Sequence, residues 1–193
     1  MNERAFIPRS LQKCFPGLLL LFASFHSFAH DSFEITLTAR LYTNRIELRA
    51  VMLRKTIQHV AESQGVHLLD FSIPSEREEA MPILRSQAAG LFALMCGTNM
   101  IRASKIEVAL AEEDHVGFNL IYPITNVLEC AAMKLDAKLL AHLPTDDPYA
   151  VSVIVLDLEN NQVRGEKILN TKSPSMELTL PRPITQPKQE PIP

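Results

Sequence analysis

Along much of this chain, apolar and polar residues alternate with a period of two. Phe33, Ile35 and Leu37 are apolar while Glu34, Thr36 and Thr38 are polar, the pattern of a half-buried strand. After a turn at Thr43-Asn44, the residues Ile46, Leu48, Ala50 and Met52 alternate with Glu47, Arg49 and Val51. The two runs predict a first hairpin. Further on, Ile106, Val108 and Leu110 alternate in the same way. The turn Glu112-Glu113-Asp114 leads into Val116, Phe118, Leu120 and Tyr122, which end at Pro123. The stretch from Val127 predicts a strand through Leu135. Tyr149 to Leu158 is apolar on both faces and reads as a central strand. Asn160-Asn161 turns the chain into a returning strand over Val163 to Ile168, and Met176, Leu178 and Leu180 make the last one.

One region has a helical period instead. From Ser75, Met81, Leu84, Ala88, Leu91 and Phe92 recur at helical spacing, and Arg77, Glu78 and Glu79 mark an outer face. Ser75 and Glu78 have capping-box spacing, and Pro82 either kinks the helix or marks its start. A helix is expected over about 76–94, with a shorter helical turn around Ile57–Glu62. About eight short strands plus one helix predict a mainly β protein, an antiparallel β-sandwich with one packed α-helix. Residues 30–180 are expected to form this domain. Residues 181–193 hold five prolines in thirteen positions, which suits neither ladder nor helix, so a disordered or polyproline tail is expected.

The first 29 residues break the pattern. Arg4, Arg9 and Lys13 precede an apolar stretch from Phe15 to Phe28, and Ser27 and Ala29 place small residues before a cut ahead of His30. This is the order of a cleavable secretory signal. A spanning helix needs about 20 apolar residues, and this stretch is shorter and carries His26. Cys14 lies ahead of the apolar core rather than at its end, which disfavours a lipoprotein. A periplasmic or secreted protein is therefore expected, with no transmembrane span after cleavage.

Charge narrows the partners. The chain carries 19 Lys+Arg against 22 Asp+Glu, and without the signal 16 remain against 21, a net charge near −5. Nucleic acid is excluded on this basis, because neutralising phosphates needs a basic surface. Cys96 and Cys130 are the cysteines left after cleavage. An oxidising compartment permits one disulfide between them, while their apolar neighbourhoods suit two buried thiols equally well. There is no CxxC pair for redox chemistry or a four-cysteine zinc site.

The sequence predicts no enzyme. It lacks Gly-x-Ser-x-Gly, His-Glu-x-x-His and a glycine-rich phosphate loop. Its carboxylates fall on turns and outer faces, and Leu91 to Cys96 and Met133 read as core. The histidines suggest a metal alternative. As the mature N-terminus, His30 would offer an α-amine and an imidazole to one ion, an arrangement suited to copper. His115, beside Asp114, is the best second ligand, and the carboxylate could orient the ring. His59 and His67 are further candidates, Asp31 and Glu34 could add oxygen, and His142 is placed on a loop. All of these read equally as solvated surface residues.

Several phrases carry a family resemblance: Ala29-His30-Asp31, the run Ile46 to Met52, Glu113-Asp114-His115-Val116-Gly117-Phe118 with Tyr122-Pro123, and His142-Leu143-Pro144. In these the chain resembles the exported β-sandwich regions that precede the membrane part of hydrogenase/urease-accessory-type, nickel-transporter-like proteins. The resemblance implies an exported sandwich acting beside an envelope or membrane protein. Transport itself is not carried over, since no transmembrane helices follow the Pro-rich tail. With His30 and the Asp114-His115 pair, the chain is also similar to periplasmic copper carriers with an N-terminal histidine brace. It departs from them in its length, its helix and its lack of a methionine-rich loop. The expected function is a non-catalytic periplasmic binding or accessory domain acting with an envelope partner, without a cofactor. The alternative is a copper carrier through His30. A third reading is a surface-attached module whose tail contacts another protein.

Overall fold

The expected first hairpin is present in the computed structural model, which describes residues 35–68, 73–110, 114–124, 130, 132–144 and 149–181. Strand β1 (Ile35–Leu41) turns at Thr43-Asn44 into β2 (Arg45–Leu53), pairing Ile35 with Met52 through to Leu41 with Ile46. Their alternation sends Ile35, Leu37, Ala39 and Leu41 to the same side as Ile46, Leu48, Ala50 and Met52, all fully buried. The signal region and the tail beyond Pro181 lie outside the described residues.

Without a loop, β2 runs into helix α1 (Arg54–Ser63), longer than the short turn the sequence suggested. The helix buries Thr56, Ile57, Val60 and Ala61 and stops at Gly65, whose φ of +72° favours glycine. There the Val66 N–H donates to the Ala61 carbonyl and the Gly65 N–H to the Glu62 carbonyl, both at 2.9 Å. These two bonds form a Schellman stop.

The main helix, α2, spans Pro74–Leu91 and differs from expectation at both ends. Ile73 is its N-cap and Pro74 its first residue, so Ser75 lies inside the helix and not at the N-cap position that a Ser75–Glu78 capping box requires. Pro at the first position, where no intrahelical partner for an N–H exists, supplies the start instead. The helix runs through Pro82, which forfeits one bond to the Glu78 carbonyl on an exposed face. Ala80, Leu84, Ala88 and Leu91 form its buried stripe. At Phe92 the backbone becomes extended, and Leu94 belongs to strand β3 (Ala93–Cys96), not to the helix.

Short β4 (Asn99–Ile101) pairs with β3, and β5 (Lys105–Leu110) with β6 (His115–Pro123). Strand β7 (Ala132–Asp136) leads to a 3₁₀ turn over Lys138–His142. The last three strands are β8 (Ala150–Asp157), β9 (Gln162–Asn170) and β10 (Ser175–Thr179). They assemble into a six-stranded sheet, β5-β6-β2-β1-β8-β9, and a four-stranded sheet, β10-β7-β3-β4. Among the described residues the fold is mainly β, with two antiparallel-rich sheets and two α-helices. One pairing departs from the antiparallel expectation: β1 runs parallel to β8. Inner-face residues of the large sheet, both helices and Leu94, Met133, Leu135 and Leu178 of the small sheet form one hydrophobic core.

Cys96 and Cys130 are joined in a disulfide with a Cα–Cα distance of 5.3 Å, tying the end of β3 to the chain entering β7. Tyr122 is buried, and its hydroxyl donates to the Phe92 carbonyl at 3.4 Å. Burial pushes the phenol pKa up to about 12.

Candidate functional site

The Asp114–His115 pair sits where the turn before β6 meets the β2–α1 junction. Asp114 adopts a left-handed φ of +61°, which its short polar side chain tolerates better than most. Its carbonyl accepts the Arg54 N–H at 2.7 Å, and its carboxylate lies 3.2 Å from the Arg54 guanidinium. Asp114 thus anchors the first residue of α1. His115, half-buried, begins β6 opposite Leu53.

Beside this junction lies an open recess of about 510 Å³, lined by Arg54, Lys55, Gln58, His67, Leu68, Glu76 and Asp114. The structure therefore brings His67, one of the sequence candidates, to the same recess as Asp114, while His115 does not line it. His59 is elsewhere on α1, 3.9 Å from Glu62 one turn on. His142 closes the 3₁₀ turn, as part of that element rather than of a loop. His30, Asp31 and Glu34 lie outside the described residues. Among the described residues, no three His, Cys, Asp or Glu side chains gather where they could hold a metal ion.

Away from this recess, charged groups form local pairs. Arg45 donates to Glu47 at 2.9 Å while lying 3.9 Å above the Tyr42 ring, and Lys138 pairs with Asp136 at 2.8 Å. Lys105 first, then Asn119, hydrogen-bonds Glu107 and holds its carboxyl below the ordinary value. The strongest case is Asp157, fully buried at the end of β8. It accepts from the Asn160 backbone and side chain and from both Nε and Nη2 of Arg164. Burial alone would raise its pKa, but these bonds outweigh burial and hold it lowered.

One surface was not singled out from the sequence. The inner face of the six-stranded sheet is covered, but its outer face is open. Four strands present three rows there: Val51-Thr36-Ser152-Ile168, Arg49-Thr38-Ile154-Glu166 and Glu47-Arg40-Leu156-Val163. Val51, Ile154, Val163 and Ile168 are exposed at 42%, 37%, 62% and 51%. The sequence signal was the two-faced apolar character of Tyr149 to Leu158, which pointed to burial on both sides. In the structure β8 is interior in the strand order, yet its second face meets solvent.

No described helix is long and apolar enough to cross a membrane. No protein-family model matches the chain, and no curated protein is significantly similar to it in sequence.

Proposed function

We propose that this chain is an exported, non-catalytic binding or accessory domain that acts with an envelope partner. The observation that carries the reading is the dispersal of its charged groups. Asp136, Glu47, Glu107 and Asp157 are each committed to a neighbouring base or amide away from the recess, and Asp114, which lines it, is paired with Arg54. A catalytic centre needs such groups brought to one reacting atom. The Cys96–Cys130 bridge supports an oxidising compartment, where disulfides persist, and so agrees with the signal-like start.

The test is expression of the full chain, recovery of the periplasmic fraction, and N-terminal sequencing. A product that begins at His30, contains no free thiol, and cross-links to one membrane protein is the expected result. A cytoplasmic product that keeps residues 1–29 and free thiols would refute export. A properly exported product that cross-links to nothing in the envelope would refute the partner.

Copper binding through His30 is the second reading. Ile35, at the start of β1, is in register with Met52 and through it with Val116, so His115 stands at the same end of the sheet. Copper titration of the processed protein should then weaken when one residue is added before His30, or on His115→Ala. Equal affinity in all forms would end this reading.

A further inference from the structure

We propose that the wedge between strands β9 and β10 is a strand-addition site, which receives an extended segment of a partner protein with a basic residue between apolar ones. This deepens the envelope-accessory reading by naming how the partner is held, and it rests on that reading for the partner's existence.

The two strands begin as a hairpin and then part. Around the Thr171-Lys172 turn, Asn170 and Ser173 exchange both backbone hydrogen bonds, at 3.2 and 3.0 Å. Beyond it the strands join different sheets, β9 at an edge of the large one and β10 at an edge of the small one. The Asn170 groups turn away from β8, so those of Ile168 and Glu166, at alternate positions, do the same. On β10, the Ala137 N–H donates to the Pro174 carbonyl, so Met176 and Leu178 turn their groups to β7. Ser175, Glu177 and Thr179 turn theirs to the free edge. Had the hairpin continued, Ile168 would exchange bonds with Ser175, and Glu166 with Glu177. Instead the Lys167 ammonium donates to the Ser175 carbonyl at 3.2 Å, in the place of a strand N–H.

Charge explains both why the hairpin stays open and what can enter it. Glu166 and Glu177 would face each other directly in a continued ladder, and like charges placed opposite one another disfavour pairing. Both are exposed, and neither has an ion-pair partner among the described residues. A charged edge ordinarily deters strand pairing. Two carboxylates on facing edges deter each other but attract a cation set between them. The wedge measures about 300 Å³, and Leu41, Val155, Met176 and Leu178 line its core side. Free backbone amides and carbonyls on both edges are complementary to an extended peptide. The pleat then fixes its pattern: a Lys or Arg on the outer side lies between Glu166 and Glu177, and the residues before and after it point to the apolar lining. An N–H of the added strand takes over the Ser175 carbonyl, and the exposed Lys167 side chain swings into solvent.

The test titrates the purified full chain, bridge intact, against two labelled, end-blocked peptides followed by fluorescence anisotropy. Each alternates Thr and Val over about nine residues, the length of a strand, with Lys at the centre of one and Glu at the centre of the other. The Lys peptide should bind about tenfold more tightly, because two attractions replace two repulsions. The double variant E166K/E177K should reverse the preference. Glu177→Lys alone should let the hairpin close on Glu166, which slows hydrogen exchange at the Ile168 and Ser175 amides and weakens the Lys peptide about tenfold. Thermal melting checks that each variant is folded, and Glu166→Lys, which makes the same change of sign, replaces Glu177→Lys if that variant does not fold. Equal affinity for the two peptides, no binding of either at millimolar concentration, or unchanged exchange in the single variant would each overturn the proposal. An envelope protein that cross-links only elsewhere on the chain would overturn it as well and leave the accessory reading standing. Selective binding of the Lys peptide by a chain that captures no envelope protein would keep the wedge as a peptide site and end the accessory reading.

Discussion

The two faces of the six-stranded sheet are built from the same strands in the same register, yet they obey different rules. On the inner face, Ile35, Leu37, Leu48, Met52, Leu120 and Val153 are almost wholly removed from water. One residue away along each strand, Thr36, Arg49, Val51 and Ile154 stand in solvent. The inner face is where the helices and the small sheet converge, so its side chains determine stability. The outer face, with its side chains in solvent, contributes less to it. Substitutions on the two faces should therefore differ in cost.

The largest effect belongs to the inner face. Leu48 is fully buried between Ala39 and Leu120 of the neighbouring strands. Leu48→Ala is expected to cost about 3 kcal/mol in urea unfolding, from lost transfer energy plus the cavity left behind. The disulfide acts on the small sheet that covers the core. Cys96→Ser with Cys130→Ser releases a closure across 34 residues and should cost about 2–4 kcal/mol. A smaller loss from either change would mean that the core repacks or that the cover is held by other contacts.

Asp157 is the exception on the inner side, because it is buried yet charged. Its partner Arg164 is partly exposed, so removal of the carboxylate leaves a cation that still reaches water. Asp157→Ala should therefore cost about 2 kcal/mol, below the range for a wholly buried pair. The sign of its pH dependence follows from the lowered pKa. Its stabilisation is fully present above the unfolded-state pKa of about 3.9 and is lost as pH falls through the lower folded value. Stability curves of wild type and Asp157→Asn should thus run parallel at neutral pH and converge in acid. Curves parallel down to the lowest pH would show that the buried pair contributes nothing.

Much of this division was legible in the sequence, and its failures have physical causes. Alternation at Ile46 to Met52 and Val116 to Tyr122 marks strands because one face is buried and the other is not. The run Leu91 to Cys96 carries no period, so nothing in it distinguishes the end of a helix from the start of β3. The turn from helix to strand at Phe92 is set by the pairing of Leu94 with Leu135 and Ile101, which is long-range information. The parallel union of β1 with β8 is likewise invisible, because no local signal links Ile35 to Val151. At the α2 start, Pro74 overrode a capping box that was correctly spaced but not needed. For the candidate site, the sequence supplied Asp114 as a neighbour for His115. It could not show that Arg54, sixty residues away, takes up the Asp114 carboxylate.

The smallest expected effect is the most informative about the open face. Ile154 is an isoleucine in an interior strand, and by sequence alone its loss should resemble that of Leu48. In the structure it is 37% exposed, between Thr38 and Glu166 on the outer face of the sheet. Ile154→Ser at low protein concentration should therefore shift the unfolding free energy by less than about 0.5 kcal/mol, the scale of an ordinary surface change. A loss near that of Leu48→Ala would mean that the outer face is a second core, whereas a loss within the surface range would show that an interior place in the strand order does not by itself make a residue part of the core.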